Sequence, residues 1–486
     1  RPSASCSSLT ACPLEGKSSL NAGSKPRSPD AGKGPEVIMP TPPFPTAWPE
    51  GFLWGVSTSS YQIEGAAAED GRLPSIWDTR CRTAGKVANG DTGDVACDHY
   101  HRYAGDVALM RELGIGAYRF SVAWPRVLPR GRGAVNGKGL DFYDRLVDTV
   151  LAAGIEPWVC LYHWDLPQAL EGLGGWTHRD SAGWFADYAA VVARRCGDRV
   201  RHWATFNEFA VFTLFGYAMD WGAPGLRDRD AHLRAIHHVN LAHGAGVDVL
   251  RDLVPGASIG AIHNQQPVWP EGETEPNRAA AQWLDEHWNH AFPDPQLRGH
   301  YPPRIAEVIE PYVRAGDLAR ICRPLDWFGL NHYGPIFAKA DPSLPWGFGW
   351  GSPPADAPRS EIGWPIYPEA FRDLLLDLSR AYRLPVYVTE NGAGGDDRPD
   401  AAGRVRDPKR VSYLAAHIGS MHDAIAAGAD VRGYFVWSVL DNFEWGSGYG
   451  PRFGLVHVDF ATQARTPKSS YRWYRDLIRA AAAGSR

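Results

Sequence analysis

Two short segments, Thr205-Phe206-Asn207-Glu208 and Thr389-Glu390-Asn391-Gly392, each carry a glutamate at the end of a run rich in β-formers and aromatics. Two carboxyl groups brought to one rim can divide the work of cleaving a glycosidic bond. One gives a proton to the departing oxygen while the other meets the cation-like sugar carbon. The two glutamates lie far apart in the chain, so they meet only if the intervening elements bring their strands side by side.

Short apolar or aromatic runs alternate along the chain with longer helical patterns, the signature of βα units and a parallel sheet. Eight strands are expected at 52–57, 117–122, 156–162, 202–206, 258–263, 327–331, 386–389 and 433–437. Amphipathic stretches at 103–113, 140–153, 182–195, 233–253, 369–382 and 411–427 lie between them. Eight strands with intervening helices specify an α/β fold, a single (β/α)8 TIM barrel whose active site lies at the C-terminal ends of the strands. No internal repeat and no second domain stands out. The segment 335–365, dense in Gly, Pro and Trp, is long for a barrel loop and reads as an elaborated rim over the site.

Polar residues gather at seven of the expected strand ends. Gln62 follows the first strand, Arg119 lies in the second and His163-Trp164 closes the third. Asn207-Glu208 closes the fourth, Asn331-His332-Tyr333 the sixth, Glu390-Asn391 the seventh, and Trp437 ends the eighth. A single histidine after a strand is more often a satisfied structural residue. Joint occurrence at seven ends points instead to one pocket.

Composition narrows the class. With 486 residues, 44% hydrophobic and 22% charged, the chain can bury a large core as one barrel. The net charge of -5 comes without a basic stripe, which argues against nucleic acid or an anionic membrane surface as partner and for an uncharged substrate. Twenty Trp and nineteen Tyr fit a bulky core and equally fit sugar rings stacked on aromatic faces. Residues 1–38 are rich in Ser, Pro and Gly, lack an apolar period and are expected to stay disordered outside a domain spanning 39–486. Met39 reads as the natural start, with 1–38 as an added leader or translated upstream sequence. No secretory apolar stretch and no run of ~20 apolar residues is seen. The seven cysteines form neither a pairing framework nor a metal-ligand spacing, so reduced thiols in a cytoplasmic protein without metal or cofactor are expected.

The strings FLWGVSTSSYQIEG, YRFSVAWPRVLP, LYHWDLPQAL, TFNE, GLNHY, GWPIYPEAF, VYVTENG and WSVLDNFEWGSGY occur in this order and resemble the successive signatures of glycoside hydrolase family 1, the β-glucosidase family. The resemblance runs from about residue 45 to about residue 474. It implies a retaining exo-glycosidase with Glu208 as acid/base and Glu390 as nucleophile. Arg119, Asn207 and Tyr333 would support the nucleophile, and Asn207 would also hold the sugar 2-hydroxyl. Gln62, His163, Glu444 and Trp445 would hold the other hydroxyls of the non-reducing sugar, with Trp437 as stacking platform. Trp164, Asn331 and Phe453 complete the implied substrate-binding set. Glu390 must then be ionised and Glu208 protonated at rest, each carboxyl biasing the other.

The resemblance further implies β-glucosides and cello-oligosaccharides as substrates, with β-galactoside or β-fucoside side activity. The Glu444-Trp445 pair argues against 6-phosphoglycosides, and a glutamate acid/base argues for O-glycosides. Two departures stand out. Phe209 follows the acid/base where proline is common, so Phe209-Ala210-Val211-Phe212 are expected to make the aglycone side unusually apolar, and His332 stands where many members have tyrosine. A transglycosylating enzyme and a non-catalytic glycan-binding barrel remain open, as does the choice between monomer and homo-oligomer.

Overall fold

The computed structural model describes residue 45 and residues 47–484. The expected tail 1–38, with Cys6, Cys12 and Met39, lies outside the described residues. Eight parallel strands close into a barrel: β1 (Leu53–Ser57), β2 (Ala117–Ser121), β3 (Glu156–Tyr162), β4 (His202–Asn207), β5 (Ser258–Asn264), β6 (Trp327–Asn331), β7 (Val386–Asn391) and β8 (Val431–Trp437). Each pairs with its neighbour in sequence, and β8 closes on β1. The expected strands are all present, and three of them run one or two residues further at their C-terminal ends than the apolar pattern suggested. Those extra residues are Asn207, Asn264, and the pair Glu390 and Asn391.

The alternation of side chains explains how apolar strands end in a polar site. Ala117, Trp158, Cys160, Ala204, Ile262, Trp327 and Phe435 point inward and fill the lower barrel, while Tyr118, Phe120, Val159, Leu161, Leu330 and Val436 belong to the layer beneath the helices. Large inward residues need small ones opposite. A Cβ on Gly260 would stand 2.3 Å from the Trp327 ring, and one on Gly55 would stand 2.4 Å from Phe435. Above this plug the inward positions turn polar, beginning with Arg119 two residues past Ala117.

Both glutamate-bearing strands are irregular just before the glutamate. The β4–β5 register slips between Ala204 and Asn207, and the β7–β6 register slips between Val388 and Glu390. A bulge lets two successive residues face outward and re-aims the next one. Thr205 accordingly reaches His243 on the helical side, and Asn207 turns into the barrel.

The surrounding helices are α1 (His99–Leu113), α2 (Gly137–Ala152), α3 (Ser181–Cys196), α4 (Arg229–Leu253), α5 (Glu275–Asp285), α6 (Pro368–Tyr382), α7 (Pro408–Ala426) and α8 (Ser469–Gly484). Six match the amphipathic stretches read from sequence, and α5 and α8 are additional. α5 packs against a three-stranded sheet of Val268–Pro270, Ile336–Ala340 and Phe348–Trp350. The Gly/Pro/Trp-rich rim segment therefore contains a short antiparallel pair rather than loop alone. Among the described residues no helix is long and apolar enough to cross a membrane.

Candidate active site

Arg119 on β2 organises the floor of the pocket. Its Nη1 donates to Glu390 Oε1 at 2.5 Å and its Nη2 to Asn207 Oδ1 at 2.6 Å. A guanidinium only donates, so the Asn207 oxygen must face it and the Asn207 NH2 must face away, toward His163 Nε2 at 3.1 Å. That nitrogen accepts, so the His163 proton sits on Nδ1, a buried atom without a protein partner. Burial and the nearby Arg119 charge hold this imidazole far below its ordinary pKa, hence neutral. Asn331, fully buried at the end of β6, donates from Nδ2 to Asn207 Oδ1 at 3.0 Å and to Glu208 Oε1 at 2.8 Å. Its own oxygen accepts from Thr389 Oγ1 at 2.7 Å.

The two carboxyl groups share this network but not its charge. Glu390 has the Arg119 cation on one oxygen and the Tyr333 hydroxyl on the other at 2.8 Å. Burial raises its pKa, and Arg119 and the hydrogen bonds oppose the rise. Glu208 receives only neutral donors, Asn264 Nδ2 and Asn331 Nδ2, both at 2.8 Å on Oε1. Burial first and the Glu390 charge second push its pKa up to about 8. Of two coupled buried carboxyls, the one with a cation ionises first, so when the pair holds a single proton it sits on Glu208. The arrangement can offer an anion and a proton donor at once.

Above the floor lies a partly exposed aromatic shelf. Trp437 packs over His163 with ring centroids 5.9 Å apart and planes at 24°, and its Nε1 donates to Glu444 Oε1 at 3.4 Å. Trp445 stacks on Tyr61 and meets Trp164 at 4.6 Å, while Trp164 Nε1 donates to the Asn207 carbonyl at 3.0 Å. Half-buried Glu444 is pushed well above its ordinary pKa by burial, and the negative charges of Glu390 and Asp441 act the same way. Phe453, buried, contacts Tyr333 and Trp364 edge-on or tilted. Trp164, Glu208 and Trp445 all have left-handed backbone, with φ of 76°, 53° and 51°. Such conformations cost a non-glycine residue roughly 1–2 kcal/mol and gather where the surrounding structure forces them.

The residues expected from seven strand ends thus converge on one cleft, with three exceptions. The first is Asn391, which turns to the helical side to donate to the His332 carbonyl at 2.7 Å and Tyr413 Oη at 3.0 Å and to accept from Tyr434 Oη at 2.6 Å. Gln62 is fully buried, and its NH2 donates to Asn442 Oδ1 at 3.0 Å and Phe443 O at 2.9 Å while its oxygen accepts from Ser59. It ties the β1 and β8 loops together, with both N–H groups already engaged. His332 points away from the cleft, donating to the Gln265 carbonyl and stacking on Phe371, because it falls on the outward side of the strand end.

The expected apolar stretch after Glu208 also needs correction. Phe209 stacks on His263, and Phe212 packs on Tyr162 and Phe206, so these rings fill the layer between barrel and helices. The rim's aromatic wall is built instead from Phe215, Trp221, Trp288 and Trp350, with ring centroids 5.1–5.7 Å apart. Strand β5, expected from the sequence but without a site residue of its own, supplies Asn264 and then Gln266. The polar run His263-Asn264-Gln265-Gln266 directly after an apolar strand was the available signal. Among the described residues no group of three or more His, Cys, Asp or Glu side chains could hold a metal ion.

The sequence profile of glycosyl hydrolase family 1 matches residues 44–483. The chain belongs to this family. Its relatives include β-glucosidase A of Thermotoga maritima, 45% identical over 89% of this chain and 98% of the relative. Thermostable β-glucosidase B of Thermobispora bispora is 48% identical over 89% of this chain and 91% of the relative. A bifunctional β-D-glucosidase/β-D-fucosidase of Bifidobacterium breve is 42% identical over 89% and 98%. The solved T. maritima β-glucosidase in complex with glucoimidazole superimposes with a TM-score of 0.85, covering 89% of this chain and 99% of that one. This family 1 member is therefore an O-glycoside hydrolase.

Proposed function

We propose that this enzyme is a retaining, exo-acting β-glucosidase that releases terminal glucose from cello-oligosaccharides and aryl β-glucosides by double displacement. The observation that carries the reading is the asymmetry of the carboxyl pair. Glu390 is ion-paired to Arg119, and Glu208 is held by neutral amides alone.

In the first step the Glu390 carboxylate attacks the anomeric carbon, the C–O bond to the aglycone breaks, and Glu208 gives its proton to the departing oxygen. Glycosylation removes the Glu390 charge, so the proton affinity of Glu208 falls as its task becomes that of a base. Water then adds to the anomeric carbon, Glu208 takes its proton, and the bond to Glu390 breaks. Asn207 and the Nδ1–H of His163 are assigned to sugar hydroxyls, Trp437 to the ring face, and Glu444 to the O4/O6 side.

Glucose as the preferred sugar is supported by relatives named β-glucosidases, and β-fucoside side activity by the bifunctional relative. β-Galactoside side activity is kept in the proposal alongside it. We assign the activity to residues 39–486 and the enzyme to the cytoplasm, the latter in keeping with five free cysteines among the described residues. Proton NMR of nitrophenyl β-glucoside hydrolysis tests the reading: β-glucose should appear first and mutarotate later. α-Glucose as the first product would replace double displacement by inversion.

A further inference from the structure

Glu208 uses its two oxygens differently, and the atoms that enforce this lie on β5 and beyond it. Trp288 Nε1 can only donate, and it stands 3.2 Å from Asn264, so the Asn264 atom there must be Oδ1. Gln266 Nε2 donates to the same oxygen at 2.8 Å. The other end of the Gln266 amide is equally constrained: Oε1 faces two backbone N–H groups, Gly334 at 3.1 Å and Tyr333 at 3.4 Å. With donor-only groups at both ends, neither amide can be turned round without opposing like groups. Asn264 Nδ2 is thereby aimed at Glu208 Oε1 at 2.8 Å, where Asn331 Nδ2 also donates. Gln266, Asn264 and Trp288 are all buried, and the Gln266 backbone is pinned on both sides by Asn289.

We propose that Gln266 is a positioning residue which, through Asn264, fills the acceptor directions of Glu208 Oε1 and makes Oε2 the oxygen that carries and returns the transferred proton. The proposal rests on the acid/base assignment of Glu208 above. Two N–H donors on one carboxyl oxygen occupy both its lone pairs, which leaves no place there for a proton. Gln266 also touches the Tyr333 backbone, whose hydroxyl holds Glu390, so one amide sets the relative placement of both carboxyls.

The consequence for titration has a definite sign. An N–H donor favours the carboxylate, so losing the Asn264 donor raises the proton affinity of Glu208. The other groups that face Glu208, namely Glu390 on β7, Arg119 on β2, Tyr333 after β6 and Glu444 after β8, keep their side chains and charges when 264 or 266 is substituted, although at 266 the Tyr333 backbone N–H also loses its acceptor. Glu208 must be protonated for glycosylation, so the alkaline limb of kcat/KM moves to higher pH.

The test compares pH profiles of kcat/KM on nitrophenyl β-glucoside for Q266L, N264A and the double variant. Q266L should move the alkaline limb up by roughly 0.5–1 pH unit, N264A by at least as much, and the double variant no further than N264A. Cellobiose, with its poor leaving group, should lose about tenfold more rate than dinitrophenyl glucoside in Q266L. A limb that stays in place while kcat falls, or shifts that add in the double variant, overturns the proposal. Should Q266L fail to fold, W288F removes the second donor to Asn264 Oδ1 and should shift the limb upward by a smaller amount. An unmoved limb there is equally decisive against the lock. Failure of the parent reading looks different: an alkaline limb that persists in E208A on cellobiose would mean Glu208 is not the acid.

Discussion

The floor of the cleft and the wall at its mouth are built on opposite principles. On the floor, Arg119, Asn207, His163, Asn331 and Gln62 are almost wholly buried, and hydrogen bonds leave each of the side-chain amides among them one orientation. At the wall, Phe215, Trp221 and Trp350 are half-buried rings that touch one another, and Trp288 connects them to the floor. Buried polar networks have one low-energy arrangement, whereas a cluster of rings on an open rim tolerates several. Substitutions on the floor should therefore change kcat across all substrates, and those at the wall should change KM for some of them.

The largest effect is expected at Glu390. Glu390→Gly should lower hydrolysis by roughly 10⁴-fold or more, since the covalent step is lost with its carboxylate. External azide, entering the space left on that face, should yield an α-glycosyl azide identifiable by NMR. β-Azide from this variant would mean that the roles of the two glutamates are exchanged.

Next comes Glu208→Ala, which should slow substrates with poor leaving groups by about 10²–10⁴-fold while sparing dinitrophenyl glucosides in their glycosylation step. Azide should here give the β-product. The unmodified enzyme should lose activity as pH rises through the Glu208 value of about 8, because the raised pKa keeps the proton in place only below it. With dinitrophenyl glucoside and azide, the variant should lack that limb. An unchanged limb would assign it to another group.

The contrast also governs what a sequence can disclose. The barrel was legible because inward and outward residues alternate for several positions in every strand, and floor residues sit within a residue or two of those runs. Arg119 lies in the same alternation as Ala117, and Asn207 and Glu390 follow directly on Phe206 and Thr389. The wall has no such period. Phe215 falls in a π-helical turn, Trp221 in an irregular loop and Trp350 in a three-residue strand, so their meeting depends on loops that only the folded chain brings together. The same reason hid the turn of Phe209 and Phe212 into the layer between barrel and helices, where their neighbours come from β3, β5 and a helix distant in sequence. Asn264 was hidden differently: a polar residue after a strand carries no mark distinguishing a turn from a catalytic contact.

Glu444, beside Trp437 on the aromatic shelf above the floor, tests whether charge or shape rules the sugar's O4/O6 side. We expect kcat/KM for nitrophenyl β-glucoside to exceed that for its 6-phosphate by at least ~100-fold, roughly 2.7 kcal/mol of transition-state binding. The raised pKa of Glu444 gives this ratio a pH dependence. At low pH the carboxyl is neutral and can donate to a phosphate oxygen, and at higher pH it is an anion opposing a dianion. The ratio should therefore widen as pH rises. Glu444→Gln should remove most of that widening. Comparable rates on both substrates at high pH would sink the assignment of Glu444 to this position.

The smallest effect, and the one that bears most directly on the wall, is expected from Trp350→Ala. Trp350 meets Phe215, Trp221 and Trp288 at 5.4, 5.1 and 5.6 Å, so its removal opens the outer edge of the wall but leaves the Trp288 to Asn264 hydrogen bond in place. An aromatic contact of this kind is worth about 0.5–1.5 kcal/mol, so KM for aryl glucosides should rise by roughly two- to twelvefold. Methyl β-glucoside, whose aglycone is too small to reach the rim, should be hydrolysed at an unchanged kcat/KM. The alkaline limb should also stay where it is, because no donor to Glu208 has been touched. A fall in kcat of equal size on both substrates, or a shifted limb, would mean that the wall is mechanically part of the floor, and the division drawn between them would fail at Trp288.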